Sequence, residues 1–365
     1  KINATTMTSV PIAVGRLAFL FAFLIGQCLS FGSFQMPKFP FGNNGGTDTA
    51  SASNKGALQP GDTVAVIGAS GNVGKLVALR LSDTYKVNGI VRDADSVKPF
   101  FEGREDSISL FEADLLEEVT AALATGDDFD SKRFSCPASL LPALRDANAI
   151  VICTGTTAFP TEAWSRSGEF SVTSEVIGAL LESKFDVSEA LGQLDSKGLN
   201  TPKNVDNRAN KLVLDAWKDA SKVLRKRAIM LSSIGVTRRE SMPFPILNAC
   251  GVLDAKAAGE KSLQEAALED GFSYTILRPG QLFGGPYDNN YYLGTLFQLD
   301  KDTQTRAVDV ERGDTLLGDT LRSTLAEVTA QLMEGDCAKD VDFAVVNVKG
   351  DAPTTEVVQE KLISL

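Results

Sequence analysis

The 365-residue chain contains no histidine. This excludes a serine hydrolase with a histidine base, a cysteine–histidine protease, a histidine-ligated zinc enzyme and a haem held by histidine. Any chemistry must rest on Lys, Ser, Thr, Tyr or carboxylates. Cysteine is scarce: outside the N-terminal apolar stretch there are only Cys136, Cys153, Cys250 and Cys337, widely spaced and without a C-x-x-C pair. Neither a disulfide framework nor a zinc site follows, and no other metal-ligating cluster is evident. Positive charge is in deficit, with 36 basic against 47 acidic residues and a net charge of −11, and there is no basic tract to track nucleic acid. A membrane-spanning run is missing as well. The densest apolar stretch, Leu17 to Ile25, is far short of the ~20 residues that cross a bilayer, so no transmembrane span is expected in the mature protein.

What is present begins at Thr63. The run TVAVIGASGNVGKLVALRL, Thr63 to Leu81, reads as a strand, a glycine turn and a helix with apolar residues at Val73, Leu76, Val77 and Leu81. Glycines at Gly68, Gly71 and Gly74, with Ala69, Ser70, Asn72 and Val73 between them, allow a sharp turn, a close approach to a pyrophosphate and tight packing of helix on strand. Free N–H groups at the helix start then face the phosphates of a dinucleotide.

The stretch ahead of it has a different character. Val10 to Gly26 is apolar apart from Arg16 and reads as a signal-peptide core, with Cys28 and Ser30 at the small-residue positions before a cleavage site. From Phe31 the composition is rich in Ser, Thr, Gly and Asn and poor in acids, as in an unstructured transit peptide. The expected organisation is a signal peptide over 1–30, a transit peptide or linker over 31–60 and one domain over 61–365. This arrangement resembles the bipartite presequence of algae with secondary plastids and implies import into the plastid, to the stroma or the thylakoid surface. Simple secretion is the alternative.

Beyond the first helix, Tyr85 to Val91 reads as a second strand that delivers Arg92 and Asp93 at its carboxyl end. An Arg here meets the 2′-phosphate of NADP, whereas a carboxylate binds the ribose hydroxyl of NAD. Arg92 comes first and favours NADP; Asp93 leaves NAD open. Ile108 to Asp114 alternates as a third strand, Pro137 to Ala147 reads as a helix, and Ala149 to Thr154 is the continuous apolar run of a buried parallel strand that ends at Gly155. Between Trp164 and Asn204 lies a stretch too long for a loop, whose i, i+3, i+4 spacing predicts one or two helices over 165–203, either a lid over the cofactor or a partner surface. Arg227 to Leu231 and Phe272 to Leu277 read as the fifth and sixth strands. They are followed by a strand at Arg306 to Val310, a helix from about Asp319 to Met333, a strand at Phe343 to Val348 and a closing helix. The alternation predicts an α/β fold, a doubly wound parallel sheet with its site at the strand carboxyl ends and a small C-terminal substrate-side subdomain.

The G-x-x-G-x-x-G spacing resembles that of short-chain dehydrogenases/reductases. GTTAFPTEAW (Gly155 to Trp164), VDNRANKLVLDA (Val205 to Ala216), SSIGVTR (Ser232 to Arg238), GVLDAKAAGEKSL (Gly251 to Leu263) and YTILRPGQLFGGPY (Tyr274 to Tyr287) resemble the atypical, NmrA-like members from plant and algal chloroplasts. The resemblance implies NADP binding. It sets Asp114 and Leu115 against the adenine, Gly155 along the ribose, and Pro279, Gly280 and Leu282 near the nicotinamide, with Thr154 and Ser232 as further cofactor contacts. It also implies Ser233 as a hydrogen-bond donor to a substrate carbonyl and Lys256 as the lysine that holds the ribose. The tyrosine that supplies the proton four residues before that lysine is absent, because Val252 stands there. Asp254, Tyr287, Tyr291 and Tyr292 remain as other acids. Two functions are therefore expected in competition: an NADP-dependent oxidoreductase acting on an unnamed small metabolite, or a cofactor-sensing module that associates with thylakoid or other plastid proteins.

Overall fold

Strands β1 (Thr63–Ile67), β2 (Lys86–Val91), β3 (Ile108–Glu112), β4 (Ala149–Ile152), β5 (Arg227–Leu231), β6 (Ser273–Pro279), β7 (Gln281–Phe283), β8 (Ala307–Arg312), β9 (Asp319–Leu321) and β10 (Val341–Val348) form a single sheet. Its order is β3-β2-β1-β4-β5-β6-β10-β9-β7, with β8 also paired to β10. The computed structural model describes residues 57–126, 128–129, 131–166, 172–284 and 305–365. The expected presequence, up to residue 56, and the candidate acids Tyr287, Tyr291 and Tyr292 lie outside the described residues.

From β3 across to β10 every neighbouring pair is parallel. Strands β8 and β9 run antiparallel to β10, so the C-terminal subdomain is built onto the sheet's edge and is continuous with it. This is the doubly wound Rossmann order, with its topological switch between β1 and β4.

Why β1, β4 and β5 carry continuous apolar runs is visible in the packing. Val64 and Val66 of β1, Ala149 and Val151 of β4 and Ile229 and Leu231 of β5 join one buried cluster. Their alternates Ala65 and Ile67, Ile150 and Ile152, and Ala228 and Met230 join another. Successive side chains on a strand point to opposite faces, and both faces here are covered, so these positions are apolar, and the buried Arg227 that opens β5 is held by hydrogen bonds to Thr275 and the Cys337 carbonyl.

Helices α1 (Gly74–Leu81), α2 (Leu115–Ala124), α3 (Val172–Glu182), α4 (Val187–Ser196), α5 (Asn210–Ala220), α6 (Val252–Asp270), α7 (Arg322–Glu334) and α8 (Thr355–Ile363) complete the fold. Val77 and Leu81 of α1 pack with Leu325, Val328 and Leu332 of α7 in the first cluster, and Leu212, Val213 and Trp217 of α5 pack with Leu263 of α6 in the second. The 165–203 segment contains the two helices α3 and α4, whose own small core includes Trp164, Ala179, Ala190 and Leu194.

Several expectations differ from the structure, among them the helix expected from about Asp319, whose first three residues form strand β9 before α7 begins at Arg322. Helix α2 was not anticipated; Asp114 starts it, its carboxylate accepting the N–H groups of Leu116 and Glu117. The helix expected over Pro137 to Ala147 shrinks to Leu141–Leu144, because Pro142 fits only the first turn of a helix. Strand β6 extends through Arg278 and Pro279 instead of stopping at Leu277. The packed unit also begins before residue 61: Leu58 is buried in the first cluster, and the Ala57 carbonyl accepts from Lys226 Nζ at 3.2 Å. Among the described residues no helix is long and apolar enough to cross a membrane.

Candidate functional site

The carboxyl ends of β1 to β6 open into one cleft of about 910 Å³. Its wall at the switch point is the glycine turn. Gly68 holds a left-handed φ of +80°, and a Cβ on Gly74 would lie 2.1 Å from the Gly68 carbonyl oxygen, so helix α1 can start this close to β1 only with glycine at 74. Among the described residues, no backbone acceptor meets the N–H groups of Ser70, Asn72 and Val73, which sit in the turn ahead of α1. Unsatisfied N–H groups at a helix start form a cradle for a phosphate, and the turn therefore fits a dinucleotide's pyrophosphate.

Gly68, Ser70, Gly71, Asn72 and Val73 line this cleft, as do Arg92 at the tip of β2 and Asp114 and Leu115 at the tip of β3. Thr154 and Gly155 follow β4, Ser232 and Ser233 follow β5, and Pro279, Gly280 and Leu282 follow β6, all on the lining together with Lys256 of α6. Two expected cofactor contacts do not face the cleft. Ala69 is fully buried in the core, and Gly74 is closed against Gly68 by the contact just described.

At the outer end Arg92 is exposed, and its neighbour Asp93 turns away to cap the short helix Ala94–Val97, its side chain accepting from Ser96 N–H. Asp114 is shared. Besides capping α2, its carboxylate accepts from Arg166 Nη2 at 2.6 Å. Arg166 and Glu162, on the segment leading into α3, line the cleft, and neither was expected there. Cys153 also lines it, and burial pushes its thiol above the usual range.

The inner end holds the side chains closest to chemistry. Lys256 Nζ donates to Asp206 Oδ1 at 2.7 Å, and Thr156 N–H donates to Asp206 Oδ2 at 3.3 Å. Burial pushes the Asp206 carboxyl up from its ordinary value, and the Lys256 ammonium and the Thr156 N–H pull it back. Ser232 Oγ donates to Glu260 at 2.5 Å, and Glu260 is in turn held by Arg278 at 2.7 Å. Ser233 Oγ donates to the Ile234 carbonyl at 3.0 Å. Both serines line the cleft, Ser232 with its hydroxyl on Glu260 and Ser233 with its hydroxyl on the adjoining Ile234 carbonyl.

The acids weighed in place of the tyrosine are not at this end. Val252 is 5% exposed and packs with Ile234, Val236 and Phe244, off the lining. Asp254 points outward to Arg239 at 2.7 Å and Asn248 at 2.9 Å. Tyr85 and Tyr274, the tyrosines among the described residues, lie away from the cleft. Asp206 went unassigned in the sequence although it stands in the run VDNRANKLVLDA. The one available signal was an acid set among residues that read as a buried helix start.

Residues 133–331, more than half of the chain, match the family described as NAD(P)H-binding. The chain belongs to the NAD(P)H-binding family. The match begins beyond the glycine turn, so turn and family match are separate lines of support for nucleotide binding by this NAD(P)H-binding protein. No curated protein matches it in sequence. Among solved structures it is similar to the oxidoreductase ylbE from Lactococcus lactis, at 16% identity and a TM-score of 0.50 over 83% of this chain and 97% of that one. It is also similar to ChuY, an anaerobillin reductase from Escherichia coli O157:H7, at 16% identity and a TM-score of 0.44 over 80% of this chain and 99% of that one. A short-chain dehydrogenase/reductase from Veillonella parvula in complex with NADP matches at 12% identity and a TM-score of 0.40, over 80% and 99% of the two chains. At such identities the likeness to ylbE shows a shared fold and says nothing of substrate.

Proposed function

We propose that this NAD(P)H-binding protein takes NADP(H) in preference to NAD(H) and acts as an oxidoreductase on a small metabolite. The observation that carries the cofactor preference is the contrast at the tip of β2. Arg92 is exposed on the cleft and makes no hydrogen bond or ion pair among the described residues, whereas the Asp93 carboxylate is committed to a helix cap. An arginine in that place suits the 2′-phosphate of NADP, and a carboxylate aimed elsewhere does not compete for a ribose hydroxyl.

When bound, the nicotinamide supplies hydride transfer. The residues of this chain supply position and charge. The glycine turn cradles the pyrophosphate, Lys256 brings a cation to the inner end, and Ser232 and Ser233 bring hydroxyl groups to the lining. No tyrosine lines the cleft among the described residues, and Tyr287, Tyr291 and Tyr292 lie outside them, so the proton is supplied by one of these, by the substrate or by water. One observation favours a second reading, a cofactor-sensing module without turnover: Val252, in the acid's place, is buried in an apolar cluster. The test is NADPH oxidation by wild type and Lys256→Met with a panel of small carbonyl and quinone acceptors. Turnover that needs Lys256 supports the enzyme. NADPH binding with no turnover on any acceptor supports the sensor.

The wider reading is that the protein is an NmrA-like atypical short-chain dehydrogenase/reductase of the plastid. Its support is the motif resemblance together with the apolar run Leu17 to Ile25 and the acid-poor, hydroxyl-rich stretch after Ser30. A fluorescent protein fused behind residues 7–60 should enter the plastid of an alga with secondary plastids; secreted or cytosolic fluorescence would contradict this.

A further inference from the structure

Lys256 does not stand alone in the cleft: a buried carboxylate lies behind it. Asp206 is 1% exposed and sits on a π-helical turn, Lys203–Ala209, that leads into α5. Such turns widen the helix ladder by one residue and often lie at functional sites. The turn is pinned from three directions. Asn210 Nδ2 donates to the Asp206 carbonyl at 2.8 Å, and Asn210 Oδ1 accepts from Thr154 Oγ1 at 2.9 Å. Helix α6 approaches so closely that a Cβ on Gly259 would lie 2.4 Å from the Asp206 carbonyl oxygen. The third tie is the 3.3 Å hydrogen bond from Thr156 N–H to the carboxylate itself.

The pair is also fixed relative to the cleft. A Cβ on Gly155 would lie 3.5 Å from Lys256 Nζ and 3.6 Å from Asp206 Oδ1, so ammonium and carboxylate lie directly beneath the backbone that ends β4. Gly155 is exposed on the lining, and so the cation is presented through the strand tip. An ammonium has three N–H bonds, one of which is spent on Asp206.

We propose that Asp206 is a positioning residue: its buried charge holds the Lys256 ammonium at the inner end of the cleft, so that the remaining N–H bonds meet the vicinal ribose hydroxyls of the nicotinamide half of the cofactor. The inference rests on the NADP(H) reading above and gives this site its anchor. Without the carboxylate, the long lysine side chain keeps its charge but loses its fixed direction.

The test separates the two halves of the cofactor. Wild type, Asp206→Asn, Lys256→Met and the double variant are titrated with NADPH and with adenosine 2′,5′-bisphosphate, which carries the 2′-phosphate but no nicotinamide riboside. Each single variant should bind NADPH about 10- to 100-fold more weakly, the range for hydrogen bonds to a charged group, and bind the bisphosphate unchanged. The double variant should be no weaker than Lys256→Met alone, because the two residues act through one ammonium. Equal loss for both ligands, whether from misfolding or from a displaced loop, gives Asp206 a purely structural role and overturns the inference. Unchanged NADPH binding in Asp206→Asn, or additive losses in the double variant, overturns it too. A wild type that binds neither ligand overturns the cofactor reading itself and the inference with it.

Discussion

Alanine for glycine at position 74 reports on the glycine turn, because two opposing effects are separable in magnitude. Gly74 is the first residue of α1, and a glycine-to-alanine change inside a helix ordinarily stabilises by about 0.5–1 kcal/mol. Here the new methyl would lie 2.1 Å from the Gly68 carbonyl oxygen, 2.9 Å from the Gly68 carbonyl carbon and 3.1 Å from the Ala69 Cα. All three are backbone atoms, so no side chain can swing aside. The turn must shift, at the roughly 1–3 kcal/mol typical of overpacking, and the clash outweighs the helix gain. The control is Gly192→Ala in α4, where an added Cβ meets nothing within 4 Å. It should stabilise by about 0.5–1 kcal/mol. Urea unfolding of both variants gives the two signs, and an NADPH titration of Gly74→Ala should show weakened binding as the phosphate cradle moves. If Gly74→Ala unfolds at the wild-type urea midpoint and binds NADPH normally, the tight strand-to-helix approach is not what the turn requires.

Two further predictions concern packing and charge. Replacing Val252 with tyrosine inserts a phenol into the buried cluster of Ile234, Val236 and Phe244, so it should lower stability by about 1–3 kcal/mol and create no reductase activity. A gain in NADPH turnover at unchanged stability would put that position on the cleft after all. Asp270 closes α6, where a negative charge opposes the helix dipole; burial raises its carboxyl, but hydrogen bonds from Arg225 at 2.7 Å and Lys218 at 2.6 Å outweigh this and hold it below its ordinary value. A depressed carboxylate contributes stability above its unfolded value of about 4, and that contribution is lost as pH falls through the folded value. Asp270→Asn should therefore cost about 1.5–3 kcal/mol at neutral pH and make urea stability less sensitive to pH below about 4; an unchanged acid dependence would contradict the assignment.

Strands β1 and β5 were legible to the residue, because a strand covered on both faces leaves an unbroken apolar run between polar ends. Helix α2 was missed for a physical reason. Asp114 serves at once as a helix cap and as a cleft residue, and reading only the second role hid the helix that the first one starts. The position of β10 beside β6 follows from pairing between distant segments, which no local pattern encodes. The cleft itself was largely readable, since its lining comes from strand tips that carry their own turn chemistry. Asp206 was not, because its meaning lies in a lysine fifty positions away in the sequence. The roles of Val252 and Asp254 depend on which way α6 is rotated, with Val252 turned into an apolar cluster and Asp254 turned out to Arg239 and Asn248.

The most direct test of the account is calorimetric titration of the protein with NADPH and with NADH, repeated on Arg92→Ala. The account predicts that wild type binds NADPH the more tightly, and that the substitution weakens NADPH by about 1.5–3 kcal/mol while leaving NADH nearly unchanged. Equal affinities in the wild type, or a preference that survives the loss of Arg92, would contradict it.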